Sequence, residues 1–300
     1  MSIVIEDGMI IKTIQHEALW DGLYSRALAN GAIMKYILEH IPKNVIMVIP
    51  RSDGNINRNK LNYHDVDWDT QIQPYIDEAK MKNKIFILGV LCQVIEEPDI
   101  NYLYLPLDDD FFLHGVNRFF NSIPWDRKSN DLCWRGGCSG VGHDQSLRIK
   151  FVKKIYQYEH NTNVRLSWWW SEGKNIPYYY FSDRLDAKEM LKYKIFFIVD
   201  GNCIASNHMW GFGTGSIPFL ISNGKCWFSD LIVPYQHYIP VNYDLSNLIE
   251  QIEWVKNNDL QAKIIADNAY QFSAVYFSSN YQQQYLKNKL LQSININIYL

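Results

Sequence analysis

Short apolar runs alternate along the chain with segments whose apolar positions recur every three or four residues. The opening "SIVIEDGMIIKTI" predicts a β-hairpin turning at Asp7-Gly8, because an Asp-Gly pair between β-rich runs favours a tight turn. "LYSRALANGAIMKYILEHIP" carries Leu, Ala and Ile at helical spacing and is closed by Pro42. "NVIMVIP", "KIFILGVL" and "YLYLPL" are continuous apolar runs, the pattern of buried parallel strands. A second series follows. "LCWRGG", "KIFFIVDG" and "GSIPFLIS" read as strands; "QSLRIKFVKKIYQY", with Leu147, Phe151, Ile155 and Tyr158 along one face, reads as a helix. "LSNLIEQIEWVKNND" and "LQAKIIADNAYQFSAVYF" are amphipathic helices. Strand and helix alternate throughout, so the class is α/β.

The polar, proline-broken "SIPWDRKSND" predicts a linker between the two series. That divides the chain into an N-terminal domain, 1–121, and a C-terminal domain, 122–280, with a helix at 280–300 that can pack back on the first. Two such units leave a cleft, and the carboxyl ends of α/β strands are where nucleotides bind. There is no internal repeat, and the only biased patch is Gln282–Gln284.

Composition narrows the function. With 47% hydrophobic and 15% aromatic residues among 300, the chain can bury large cores. A net charge of -3 and a pI near 6.2 offer no general cationic surface, which argues against a nucleic-acid partner. The N-terminus has no basic segment leading into an apolar run, and no 18-residue apolar span occurs, so neither a signal peptide nor a membrane span is expected. Five scattered cysteines, an odd number, fit a reducing compartment better than a disulfide framework. The expectation is a soluble cytoplasmic protein. Its Ile, Asn, Lys and Tyr bias is common in A/T-rich genomes, including those of large viruses, which would put it in the cytoplasm of an infected host cell.

Candidate chemistry begins at "LCWRGGCSG". Zinc needs ligands beyond Cys133 and Cys138, and redox pairs prefer Cys-x-x-Cys, so ordinary buried thiols are the better reading. A strand ending at Trp134-Arg135 and opening through Gly136-Gly137 suits phosphate, with the Arg135 fork beside backbone N–H groups. A tight turn with Arg135 paired to a carboxylate fits equally well. Asp108 and Asp110 in "LDDDFF" could hold Mg²⁺ or Mn²⁺, or could open a helix whose dipole they face. In "DVDWDT", a solvated loop is favoured. Asp53, just past a buried strand, is placed for a general base, although an Asp-Gly turn is the plainer role. The glycines Gly211, Gly213 and Gly215 precede a strand rather than open a helix, which is unlike a dinucleotide fingerprint. His208 and His237, single histidines among aromatic residues, read as structural. Trp168–Trp170 with Tyr178–Tyr180 could stack a sugar or simply pack.

Together these segments resemble glycosyltransferase family 90, which includes capsule-associated proteins, Rumi-type protein O-glucosyltransferases and lipopolysaccharide-modifying enzymes. The resemblance is densest over 125–275, in "WDRKSNDLCWRGGCSG", "LRIKFVKKI", "KYKIFFIVDGNCIAS" and "VPYQHYIPVNYDLSNLIEQIEWVKNND". It implies a GT-B fold: two Rossmann-like domains facing across a cleft, the second holding the nucleotide-sugar. It implies an inverting transfer of glucose or xylose from UDP-glucose or UDP-xylose to a hydroxyl of a glycan or glycoprotein, with no cofactor and no obligatory Mg or Mn. Asp53 matches the family's base, though Ser52 separates it from Arg51. Arg135 would steady the diphosphate, helped by Trp134, Gly136, Ser139, Asp200, Gly201 and Ser206, with Trp210 and His237 along the wall. Asn207 stands where the family carries an arginine, a loss for which Arg148 could compensate. The alternatives are a metal-dependent transferase using Asp108 and Asp110, or a non-catalytic carbohydrate- or nucleotide-binding module.

Overall fold

The computed structural model describes residues 2–14, 31–50, 67–94, 96–106, 109–116, 123–140, 142, 145–167, 175–202 and 204–295. The chain divides into two compact units. The first comprises Met1–Gly115, Gly224–Trp227 and Ser278–Leu300; the second comprises Val116–Asn223 and Phe228–Phe277. Both are mixed α/β.

The first unit carries a five-stranded sheet of order β2-β1-β3-β4-β5. Its strands are β1 (Ser2–Glu6), β2 (Met9–Ile14), β3 (Val45–Pro50), β4 (Ile85–Val90) and β5 (Tyr102–Tyr104). β1 is antiparallel to both its neighbours, while β3, β4 and β5 are mutually parallel. The hairpin turns where the sequence predicts: Asp7 and Gly8 have φ of 50° and 82°, the two positive values a two-residue turn between twisted strands requires. The helix Ala32–His40 realises the end of the first predicted helix, and the start of that segment lies outside the described residues. The helix Ser279–Asn295 sends Leu286 and Leu290, fully buried, into the core formed by Ile3, Met47 and Phe112. Residues 224–227 join this unit through Gln93 and Lys225, which exchange backbone hydrogen bonds of 2.9 and 2.8 Å.

Both acidic runs take part in helix starts. "LDDDFF" opens the helix Asp109–His114, and Asp109 Oδ1 accepts the Ile33 N–H at 2.9 Å, capping the first turn of Ala32–His40. Asp108 and the Asp110 side chain lie outside the described residues. In "DVDWDT" the expected solvated loop is corrected in part: Asp67 accepts the Thr70 N–H at 3.3 Å and caps the turn Trp68–Gln71.

The second unit holds two three-stranded parallel sheets. One has the order β6-β7-β8, from β6 (Cys133–Gly137), β7 (Asn163–Ser167) and β8 (Phe181–Ser182). The other has the order β11-β10-β9, from β9 (Ile195–Val199), β10 (Ile217–Ile221) and β11 (Ile239–Pro240). The sheets adjoin at β6 and β9, where Ser129 hydrogen-bonds to Lys192 and Lys194 at 2.7 and 2.8 Å. Placed side by side at β6 and β9, the two sheets run β8-β7-β6-β9-β10-β11, the strand order of doubly wound α/β sheets, with the switch point between β6 and β9. Phe151 of the helix Leu147–Tyr158 lies between Trp134 and Phe197, at 5.4 and 5.0 Å. β10 tolerates Pro218 because its register starts late: Ile217 N–H bonds towards β9, so position 218 faces β11, whose pairing begins only at Phe219.

Two expectations are corrected. "SIPWDRKSND" is not simply a linker but is anchored in the second unit at two positions: Trp125 is buried and its Nε1 lies 3.2 Å from both Asp259 carboxylate oxygens. Lys128 is buried beside it and donates to Leu191 O (2.5 Å), Ser216 Oγ (3.0 Å) and Thr214 O (3.2 Å). Asp126, Arg127, Asn130 and Asp131 of the same segment face solvent. The thiols are also not all free, since Cys92 is disulfide-bonded. Cys133, Cys138 and Cys226 are buried and not disulfide-bonded.

Candidate active site

At the switch point the turns leaving β6 and β9 approach each other. Gly137, Cys138, Ser139 and Gly140 leave β6; Asp200, Gly201 and Asn202 leave β9. Arg148, in the first turn of the helix Leu147–Tyr158, joins them. Its Nη1 donates to Ser139 Oγ at 2.8 Å and Gly137 O at 3.3 Å, its Nε to Asp200 O at 3.1 Å and Val199 O at 3.3 Å, and its Nη2 to Val199 O at 3.2 Å. The guanidinium also lies over the Trp134 ring, 6.0 Å from its centre. Burial pulls Arg148 down to about 10, against the opposing charge of Asp200, so it remains a cation at neutral pH.

The approach of the two turns requires small residues. A Cβ on Gly201 would sit 3.1 Å from Ser139 Oγ and 3.2 Å from the Arg148 guanidinium carbon. Gly140 has φ 138°, a conformation open to glycine, and a Cβ there would meet the Ser146 Cβ at 3.0 Å.

Asp200 ties in two further segments. Its Oδ2 accepts the Asn223 N–H at 3.3 Å, just beyond β10. Its Oδ1 lies 2.9 Å from His208 Nε2, without hydrogen-bond alignment. His208 Nδ1 in turn lies 3.1 Å from the Ala205 backbone, which closes the turn that carries Ser206 and Asn207. Asn207 Oδ1 is buried without a partner. Beyond β11, burial and the Asp200 charge push the Tyr243 hydroxyl up from its usual range.

The expected site residues therefore separate. Ser139, Arg148, Asp200 and Gly201 come together, and His208 brings the Ser206-Asn207 turn to them. Trp134 is a core residue at 3% exposure, and Gly136 is glycine because its Cβ would fall 2.5 Å from the Trp134 ring. Arg135 leans the other way. Its Nη2 donates to Asn163 Oδ1 at 2.7 Å, and Asn163 pairs with Cys133, so the guanidinium points towards the amino ends of the strands. Its buried Nε and Nη1 have no partner, and desolvation lowers its pKa. Trp210 packs edge-on to Phe196, in the middle of β9, at 4.9 Å. His237 precedes β11 at the amino edge, where its Nδ1 accepts the Val233 N–H at 3.0 Å. Burial lowers its pKa. Asp53 and Trp168–Trp170 lie outside the described residues. Tyr178 and Tyr179 are exposed, and Tyr179 stacks on Tyr156 at 5.3 Å.

His208, Asn223 and Tyr243 were not foreseen as site residues. No spacing in the sequence marks them: His208 reaches Asp200 through the turn between β9 and β10, and Asn223 and Tyr243 through the parallel pairing of β9, β10 and β11. Among the described residues there is no cluster of three or more metal-ligating side chains, and burial pushes the Cys133 thiol up to about 11. Among the same residues, no helix is long and apolar enough to cross a membrane.

Parallel strands in the order β8-β7-β6-β9-β10-β11, with glycine-bearing turns at the reversal, place the unit in the doubly wound α/β class. The family model for glycosyl transferase family 90 matches residues 110–294, which contain the whole of this site, and the chain belongs to that family. It is 35% identical over 190 residues to uncharacterized protein 035R of Invertebrate iridescent virus 3, covering 55% of this chain and 17% of the viral protein. It is 34% identical over 206 residues to uncharacterized protein 179R of Invertebrate iridescent virus 6, covering 58% and 17%. Human protein O-glucosyltransferase 1 is 28% identical over 167 residues, 54% of this chain and 41% of that protein. The chain thus spans well under half the length of these relatives.

Proposed function

We propose that the chain is a glycosyltransferase that binds a UDP-sugar at the β6/β9 switch point and transfers glucose or xylose, with inversion, to a hydroxyl of a glycan or protein. The observation that carries this reading is the meeting of the two glycine-bearing turns around Arg148, within the segment matched by the family. Negative charge grows on UDP as the glycosidic bond breaks. Backbone N–H groups of close turns, beside a cation whose own hydrogen bonds are already formed, stabilise that charge without reorganising. The reading carries with it a GT-B pairing of the two units, and a reaction that does not require Mg or Mn. It keeps Asp53 as the base that takes the acceptor's proton while its oxygen attacks the anomeric carbon.

The test is UDP release from UDP-glucose and UDP-xylose with glycan and peptide acceptors, with and without EDTA. Activity that persists in EDTA and falls roughly 100- to 10,000-fold in Asp53→Asn, at unchanged UDP affinity, supports the reading. Loss of activity in EDTA with recovery on Mn²⁺ assigns the chemistry to a metal. Binding of UDP with neither transfer nor hydrolysis makes the chain a binding module.

A further inference from the structure

Arg148 offers five N–H donors, and four are engaged by oxygens of just two turns. Nη1 holds Gly137 O and Ser139 Oγ on the β6 side; Nε and Nη2 hold Val199 O and Asp200 O on the β9 side. Among the described residues no carboxylate is hydrogen-bonded to it: the Asp200 side chain turns instead to Asn223 and His208. Its flat face lies over the Trp134 ring. Gly201 is small where a Cβ would press on both the guanidinium and Ser139 Oγ.

This is the pattern of a strut. The strand order reverses at a switch point, and among the described residues no strand ladder links β6 to β9, only the isolated bridge of Ser129 and Tyr193 before them. From these contacts we infer that Arg148 is a positioning residue: it sets the separation of the 137–140 and 199–202 turns, and acts on a bound nucleotide through them rather than by touching its phosphates. The inference rests on the nucleotide reading above, but the two can fail separately.

Two consequences distinguish a strut from a phosphate ligand. Lysine keeps the charge but cannot serve four acceptors in two turns. A phosphate ligand loses more affinity for UDP than for UMP when removed, whereas a strut loses both alike. The experiment measures UDP and UMP binding by calorimetry, and amide hydrogen exchange, in wild type, Arg148→Lys and Arg148→Met. Expected is an equal loss for both nucleotides, on the order of ten- to a hundredfold, in both variants, as for misplaced binding groups. Exchange accelerates at 137–142 and 199–202, and elsewhere stays as in wild type. Retention of affinity in Arg148→Lys, a loss confined to UDP, or unchanged exchange in both turns overturns the inference. Should the Arg148 variants fail to fold, Ser139→Ala removes one of the acceptors and gives the same pattern at smaller amplitude. Failure of wild type to bind either nucleotide overturns the nucleotide reading, while the exchange data still decide the strut.

Discussion

Two glycines show how one residue type serves different ends. A Cβ at Gly136 would enter the Trp134 ring at 2.5 Å. Gly136→Ala therefore forces a buried indole to shift and destabilises the fold by about 1–3 kcal/mol, visible as a lower melting temperature. At Gly201 the pressure falls on the Arg148–Ser139 bond, so Gly201→Ala weakens UDP binding in calorimetry more than it lowers the melting temperature. Lys128 provides a pH test. Burial pulls it from 10.5 to about 8. The native state thus favours the neutral amine, and the penalty for holding a charge there is full below pH 8 and fades as pH rises towards the unfolded value. The stability of wild type relative to Lys128→Met is expected to increase between about pH 8 and 10.5, read from denaturant midpoints. Sequence exposed Arg135 and Arg148 equally. Which one reaches the switch point was hidden, because strand alternation and side-chain lean, not position in a motif, send the Arg135 tip back towards Asn163.

At the scale of elements, the pattern of apolar runs located β3, β4, β9 and β10 and the three helices Leu147–Tyr158, Leu248–Asn257 and Asp259–Tyr276. Each is long enough, or apolar enough, to carry its own periodicity. β7, β8 and β11 escaped notice. β8 and β11 have two residues each, too few to show alternation, and β7 reads "NVRLS", with polar positions where its arginine curls back on Val164 O. They exist because parallel neighbours supply hydrogen bonds that no local signal announces. The C-terminal helix offers the clearest energetic test. Leu290→Ala leaves a cavity in the first unit's core and is expected to lower its stability by about 2–5 kcal/mol, measured by chemical denaturation.

Across the whole molecule, the return of the C-terminal helix to the first unit was an expectation of the sequence, but the passage of 224–227 through that unit was not. The chain leaves the first unit after Gly115, returns for Gly224–Trp227, and returns again at Ser278. Four residues near Lys225 give no compositional cue, since their place is fixed by Gln93, far away in sequence. For the same reason Trp125 and Lys128, in a stretch that resembled a linker, were legible only as polar punctuation.

That threading sets an order of assembly on the ribosome. Everything the second unit needs has emerged once Phe277 is out, while the strands made first still lack Leu286 and Leu290. The first unit's sheet, though made before the second unit, can close its core only after it. Its apolar strands β3 and β4 thus stay without Leu286 and Leu290 while the whole of the second unit is made.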